Sequence, residues 1–123
     1  KYQNVLSEVK FSLENLIKNA LEKNISKKNI ILDPGIGFSK DLNQNLEILR
    51  NLDVFKKLNL PILIGASRKR FIGEILNEIN PKERDIGTLA VSCLCSHFNI
   101  DIVRVHNVKM NSQILKIADR IYR

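Results

Sequence analysis

Three short stretches of this sequence concentrate the side chains that could do chemistry. They are Asp33-Pro34-Gly35-Ile36-Gly37-Phe38, Gly65-Ala66-Ser67-Arg68-Lys69 and Arg104-Val105-His106. Each stretch comes directly after a short apolar run, whereas the residues that precede those runs are bland. Because ligands bind beyond the carboxyl ends of parallel strands, the three stretches are candidates for one common site.

The first stretch combines a carboxylate with two glycines. We expect Asp33 to end a buried strand, where an unpaired carboxylate is costly. A planar ligand with two adjacent N–H groups would satisfy it, and a salt bridge to Lys40 or Lys69 is the structural alternative. Gly35 and Gly37 would let the loop adopt positive φ and let a ligand approach the backbone. As a phosphate loop, G-x-G alone is a weak signal.

The second stretch brings three polar side chains to the predicted start of a helix. Free backbone N–H groups at a helix start can hold an anion such as a carboxylate. Ser67 adds a hydroxyl, Arg68 a flat guanidinium that can stack on an aromatic ring, and Lys69 a donor for a ligand's carbonyl oxygen. The alternative is three solvated charges, although cations oppose the dipole at a helix N-terminus.

The third stretch places two cationic or polar side chains on one face of a predicted strand. Arg104 and His106 lie two positions apart, so both point to the same side. Phosphate or pyrophosphate suits this pair, because arginine binds such oxygens bidentately. An internal salt bridge between Arg104 and Asp33 is the alternative.

The elements that would position these stretches alternate between helix and strand. Apolar spacing predicts helices over 4–22, 45–58, 68–79, 86–98 and 109–122, and Asp85 could cap the fourth of them. Apolar runs predict strands over 30–32, 61–65 and 100–105. Strands that are apolar throughout are typically buried on both faces of a parallel sheet wrapped by helices. An open doubly wound sheet and a section of a (β/α)₈ barrel both agree with this order.

The composition is that of one globular domain or part of one: 123 residues, 44% apolar and 27% charged. No apolar run approaches the roughly 20 residues of a membrane helix, and the first residues lack a signal-peptide core. We therefore expect no membrane association and a cytoplasmic location. The net charge of +7 could indicate nucleic acid, but the lysines are scattered, which favours a solvated surface.

Two cysteines and a histidine invite a zinc interpretation that the sequence disfavours. Cys93, Cys95 and His97 fall within a predicted helix, where residues two apart point about 200° apart. A Cys-x-Cys pair on a helix cannot chelate one ion. We predict two reduced, mostly buried thiols and a capping or surface role for His97.

In order and spacing, the three stretches resemble dihydropteroate synthase, and the resemblance covers essentially the whole chain. That family has an Asp-Pro-Gly-x-Gly-Phe loop, a Gly-x-Ser-Arg-Lys loop and an Arg-Val-His near its end. The helix start at Gly87-Thr88-Leu89-Ala90 also looks like the family. One departure is Asn107, where the family has Asp, and we expect it to weaken an orienting contact without abolishing binding.

The resemblance implies a fold and a reaction. Residues 1–123 would be the C-terminal portion of a single pterin-binding (β/α)₈ TIM-barrel domain, with three parallel strands alternating with helices. The enzyme, a transferase of folate biosynthesis, would join p-aminobenzoate to 6-hydroxymethyl-7,8-dihydropterin pyrophosphate and release pyrophosphate, and sulfonamides would compete for the aminobenzoate site. The ligand of Mg²⁺, further pterin-contacting residues and two mobile loops would belong to the N-terminal part of the family's barrel, so the chain alone would be inactive. A homodimer is expected at full length.

The resemblance also implies residue roles. Asp33 would accept hydrogen bonds from the pterin, and Lys69 would donate to the pterin oxygen and ring nitrogen. Ser67, with the helix start, would hold the aminobenzoate carboxylate, while Arg68 and Phe38 would flank its ring.

The remaining implied roles concern the leaving group. Arg104 and His106 would hold the pyrophosphate, and Gly65 would also contact substrate. Lys69, Arg104 and His106 would be the catalytic residues, because catalysis here means stabilising the departing pyrophosphate and a cationic pterin methylene. The attacking aromatic amine is already neutral at pH 7, so no strong base is required.

Two other functions stay open from the sequence. A pterin-dependent methyltransferase domain would share the barrel and the pterin-binding Asp but would have no use for Ser-Arg-Lys or a pyrophosphate clamp. A non-catalytic basic module that binds RNA would need a continuous basic face, which the scattered lysines do not provide.

Overall fold

The computed structural model describes residues 2–123, in which helices flank a short parallel sheet. No helix in this range is long and apolar enough to cross a bilayer. Single turns of 3₁₀ helix occur at Lys27–Asn29 and Pro81–Arg84. In chain order the elements are α1 (Val5–Glu22), α2 (Leu42–Arg50), α3 (Asp53–Lys56), β1 (Leu63–Ile64), α4 (Arg70–Leu76), α5 (Asp85–His97), β2 (Ile102–Val103) and α6 (Val108–Tyr122).

The sheet is parallel, as the sequence predicts, but its strands are shorter than expected. β1 pairs with β2 in parallel, with Leu63 opposite Ile102. On the other side of β1, a single parallel bridge joins Leu32 to Ile62, so the predicted strand over 30–32 is reduced to one contact. All three apolar runs therefore point in one direction, and their carboxyl ends meet at one edge of the sheet.

The core lies between the sheet and the helices. Ile48, Leu52 and Phe55 from the α2–α3 region are fully buried against the sheet residue Ile62. The prediction of strands buried on both faces is wrong for the described residues. Ile31 is 54% exposed and Ile102 is 37% exposed, because no part of residues 2–123 covers them.

Two predicted helices have different limits in the structure. The helix predicted over 45–58 is α2 followed by α3, and α2 begins earlier because Asp41 and Gln44 form a reciprocal capping box. The helix predicted over 68–79 is only α4, which ends at Asn77 in the left-handed conformation.

The other three helices agree with the predictions to within one or two residues. They are α1, α5 and α6. At the start of α6, Asn107 provides the cap, since its side-chain oxygen accepts a hydrogen bond from the Met110 N–H.

Candidate active site

A cavity of about 560 Å³ opens at the edge where the carboxyl ends of β1 and β2 meet. It brings together the second and third sequence stretches. Six of the eight predicted substrate-binding residues line it, and the 3₁₀ turn before α5 supplies another part of its wall. The lining residues are Gly65, Ser67, Arg68, Lys69, Asn80, Pro81, Lys82, Arg104, Val105 and His106.

Asp33 reaches this cavity through Arg104. Its Oδ2 lies 3.7 Å from Arg104 Nη1, and its Oδ1 accepts a hydrogen bond from the Gly35 N–H at 2.8 Å. The ion pair offered above as an alternative is thus present. The expectation that Asp33 ends a buried strand is wrong. A single bridge at Leu32 precedes it, and its side chain is 37% exposed.

Gly65 leaves space for the Arg104 guanidinium. A Cβ at position 65 would come within 2.9 Å of Arg104 Cζ and 3.1 Å of its Nε. Ordinary carbon contacts lie at about 3.5–4.0 Å, so only glycine admits the guanidinium in this position. Arg104 itself is 58% exposed at the cavity.

The loop that follows Asp33 packs against Lys69. The Lys69 ammonium lies 4.4 Å from the centroid of the Phe38 ring, within cation–π range. Gly35 and Gly37 have φ of 74° and 87°, so the predicted positive φ of both glycines is confirmed. This loop is therefore shaped by its glycines and rests on the second stretch.

Two residues that the sequence analysis did not single out as anchors fix this loop. The Lys40 ammonium donates to the carbonyl oxygens of Gly35 at 2.7 Å and Phe38 at 2.9 Å. Burial lowers the pKa of Lys40, while nearby Asp33 opposes that shift. Asn45 Oδ1 accepts a hydrogen bond from the Gly37 N–H at 2.8 Å. The sequence held one signal for this role, because Asn45 is a polar residue on the apolar face of α2, where it is buried.

Arg68 has a left-handed backbone that α5 and the turn before it hold in place. Its φ is 58°, which is uncommon outside glycine. Its N–H donates to Thr88 Oγ1 at 3.1 Å, and Arg84 Nη1 donates to its carbonyl oxygen at 3.0 Å. The expectation that 67–69 opens a helix is therefore wrong: α4 begins at Arg70, and the Lys69 N–H donates to the Ala66 carbonyl.

The Arg68 guanidinium forms a two-point ion pair with Asp85. Nε and Nη2 lie 2.8 and 3.2 Å from the two carboxylate oxygens. This hydrogen bonding lowers the pKa of Asp85, and Asp85 in turn raises the pKa of Arg68. Asn107 Nδ2 also donates to Asp85 at 3.3 Å. Asp85, expected as a helix cap, is instead the first residue of α5 and the partner of Arg68.

Ser67 and His106 contact each other across the cavity floor. The Ser67 hydroxyl lies 2.7 Å from His106 Nδ1, and the His106 N–H donates to the same hydroxyl at 3.1 Å. Arg104 and His106 are both exposed, with the less exposed Val105 between them. They keep the predicted alternation, although they lie beyond β2 rather than on it.

The lining of the cavity is cationic. Four cationic side chains line it, those of Arg68, Lys69, Lys82 and Arg104. Asp85 pairs with Arg68 and Asp33 lies 3.7 Å from Arg104, so positive charge is in excess. Sequence reasoning missed Lys82, since it follows no strand and lies in a 3₁₀ turn. Such a site can bind an anionic ligand. In the part of the chain that the structure describes, no cluster of three or more His, Cys, Asp or Glu side chains could hold a metal ion.

Comparison with known proteins identifies the class to which this fold and site belong. The family model described as "pterin binding enzyme" matches residues 1–106, which include all three stretches. The chain belongs to the pterin binding enzymes.

Within this class, the relatives found are dihydropteroate synthases. The one from Synechocystis sp. is 43% identical over 122 residues, which cover 99% of this chain and 42% of the relative. The one from Bacillus subtilis is 43% identical over 118 residues, which cover 96% of this chain and 41% of the relative. The chain thus spans about two fifths of the length of these relatives.

Solved structures agree with the sequence relatives. Dihydropteroate synthase from Thermus thermophilus in complex with 6HMPPP matches with a TM-score of 0.93 at 36% identity, covering 100% of this chain and 48% of that one. The same enzyme in complex with 4-aminobenzoate also gives 0.93 at 36% identity, covering 99% and 47%. The resemblance predicted from the three stretches is confirmed, as is the α/β class of the fold.

Proposed function

We propose that this chain is the C-terminal portion of a (β/α)₈ barrel that acts as a dihydropteroate synthase. One observation carries the proposal. Two of the three stretches line one cation-rich cavity at the edge of a parallel sheet, and the first stretch contacts them through the Asp33–Arg104 ion pair and the Phe38–Lys69 contact. The family match, the identity to dihydropteroate synthases and the complexes of the Thermus enzyme with 6HMPPP and 4-aminobenzoate support it.

The substrate rings would lie along the loop after Asp33 and the turn after β1. Asp33 would accept hydrogen bonds from the paired N–H groups of the pterin, and Lys69 would donate a hydrogen bond to the pterin oxygen. Phe38, which already contacts Lys69, would flank the aminobenzoate ring together with Arg68. Ser67 would lie near the aminobenzoate carboxylate.

The leaving pyrophosphate would lie against Arg104 and His106. In the reaction, the bond between the pterin methylene carbon and the pyrophosphate oxygen breaks, while the amine nitrogen of p-aminobenzoate bonds to that carbon and loses one proton. Negative charge collects on the departing oxygen. The Arg104 guanidinium would donate hydrogen bonds to that oxygen and stabilise the charge.

Magnesium enters the proposal only through the resemblance. Within residues 2–123 the cavity presents cations rather than a set of carboxylate oxygens, which does not suit a Mg²⁺ ion. An ion of this kind would need ligands from outside this chain. The homodimer and the cytoplasmic location also stay predictions.

The test is an assay of the full-length protein with 6-hydroxymethyl-7,8-dihydropterin pyrophosphate and p-aminobenzoate. Dihydropteroate and pyrophosphate should appear in equal amounts. Arg104→Ala and Lys69→Met should abolish most turnover, whereas the matched surface variants Arg50→Ala and Lys27→Met should not. Unchanged turnover in both site variants would remove the assignment.

The isolated 123-residue chain provides a second test. It carries only part of the proposed site, so we expect weak ligand binding and no measurable turnover. Tight pterin binding by this chain in calorimetry would contradict the proposed division of the site.

A further inference from the structure

Ser67 and His106 share two hydrogen bonds that fix the imidazole. The His106 N–H donates to Ser67 Oγ at 3.1 Å, and the same oxygen lies 2.7 Å from His106 Nδ1. The two contacts close a small ring between the turn after β1 and the segment after β2, although the residues are 39 positions apart. The orientation of the imidazole therefore depends on the Ser67 side chain.

A count of donors and acceptors favours one direction for the second hydrogen bond. A serine hydroxyl has one proton and two acceptor sites, so Oγ could also accept from a protonated Nδ1 while its own proton turned into the cavity that Ser67 lines. Ser67 is only 8% exposed, and within residues 2–123 Nδ1 is the one acceptor within hydrogen-bond distance of its hydroxyl. Donation from Oγ to Nδ1 uses that acceptor, and it places the ring proton of the neutral imidazole on Nε2.

We infer that Ser67 is a positioning residue that fixes His106 in the tautomer with Nε2–H directed at the anion site. Nε2 makes no hydrogen bond to residues 2–123, and His106 lines the cavity beside Arg104. In the opposite tautomer, Nε2 would present a lone pair to the ligand and repel its oxygens. The charged groups around this ring are Arg104, Arg68, Lys69, Lys82 and Asp85.

Nuclear magnetic resonance tests the tautomer without any ligand. The full-length protein is labelled with ¹⁵N in its histidine rings and measured near pH 8.5, about two units above the ordinary histidine pKa of about 6.5. We expect His106 Nε2 to give the signal of a protonated nitrogen and Nδ1 that of an unprotonated acceptor. A protonated Nδ1 in the unsubstituted protein would overturn the inference, and this measurement needs no variant.

Substitution then identifies the donor. Ser67→Ala should shift Nδ1 toward the signal of a nitrogen without a hydrogen-bond donor, while the exposed His97 serves as an internal reference for folding. The matched control is Ser92→Ala, another buried serine, whose hydroxyl donates to Asn111 at 2.6 Å; it should leave the His106 signals unchanged. If Nδ1 does not respond to Ser67→Ala, Ser67 is not its donor.

Binding of inorganic pyrophosphate tests the consequence, which rests on the proposed function for the identity of the anion. Ser67→Ala should weaken binding about three- to tenfold, as expected when one hydrogen bond is misdirected. The same change in a His106→Ala background should add nothing, because Ser67 acts through His106. Equal weakening in both backgrounds would mean that Ser67 contacts the anion directly. If the protein binds no pyrophosphate, the proposed function fails, while the ring signals still decide the tautomer.

Discussion

Substitution of Gly65 by Ala should separate the function of Arg104 from the stability of the fold. A methyl group at this position would lie 2.9 Å from Arg104 Cζ, inside the ordinary contact distance of about 3.5–4.0 Å. The guanidinium must then move back by about 1 Å. Because it is the mobile end of a half-exposed side chain, it can move without disturbing the core.

The expected magnitudes differ strongly between stability and binding. Gly→Ala at an ordinary φ stabilises by about 0.4–1 kcal/mol through the unfolded chain, and the exposed Arg104–Asp33 pair contributes about 0–1 kcal/mol. The free energy of unfolding should therefore change by less than about 1 kcal/mol. A displaced guanidinium loses a hydrogen bond to a charged group, worth about 1.5–3 kcal/mol. Pyrophosphate binding should thus weaken roughly 10- to 150-fold.

Two measurements on the full-length protein test this reasoning. Urea denaturation gives the stability, and titration calorimetry with inorganic pyrophosphate gives the affinity. Arg104→Ala provides the control background, in which Gly65→Ala should have no further effect on affinity. The reasoning is refuted if Gly65→Ala keeps the original affinity, or if it weakens binding equally when Arg104 is absent.

Three other predictions follow from the charged pair behind the cavity and from the core. Asp85→Asn should lower the urea midpoint at pH 7. Because folding lowers the pKa of Asp85, its contribution to stability is present above the unfolded-state pKa of about 4 and is lost as the pH falls through the folded-state pKa. A difference in midpoint that does not depend on pH would contradict this. Burial raises the pKa of the Cys95 thiol to about 12, so iodoacetamide at pH 8 should alkylate Cys95 only when the protein unfolds, with the less buried Cys93 as the internal comparison by mass spectrometry. Phe55→Ala should reduce the free energy of unfolding by about 3–5 kcal/mol in urea titrations, because Phe55 is fully buried. Phe11→Ala, at a 65% exposed position, should have little effect. Equal effects of the two substitutions would contradict the core described above.

The position of the site could be predicted from the sequence because it depends on local signals. Apolar runs followed by polar or glycine-rich residues mark the carboxyl ends of strands, and parallel strands bring those ends together. The convergence of Asp33, Lys69 and Arg104 could therefore be predicted from these local signals alone. The positive φ of Gly35 and Gly37 was equally local, since glycine tolerates it where other residues do not.

The contacts that shape the site could not be predicted, because they join residues that are distant in sequence. Asp85 lies 17 positions from Arg68, and its helix-start position is the same whether it serves as a cap or as an ion-pair partner. The left-handed backbone of Arg68 depends on Arg84 and Thr88, which no local pattern reveals. Strand lengths were overestimated because apolar residues such as Ile100 and Val105 lie beyond the paired residues Ile102 and Val103.

The cations around the cavity also affect how quickly a charged ligand arrives. Lys69, Lys82, Arg68 and Arg104 line one opening. Asp85 pairs with Arg68 and Asp33 lies near Arg104, so the opening keeps a net positive charge. A pyrophosphate ester approaching this opening meets an attractive field that extends over a Debye length of about 8 Å at physiological ionic strength. Added salt should therefore slow the encounter more than it changes the bound contacts. Multivalent buffer anions would compete for the same opening before any substrate reaches it.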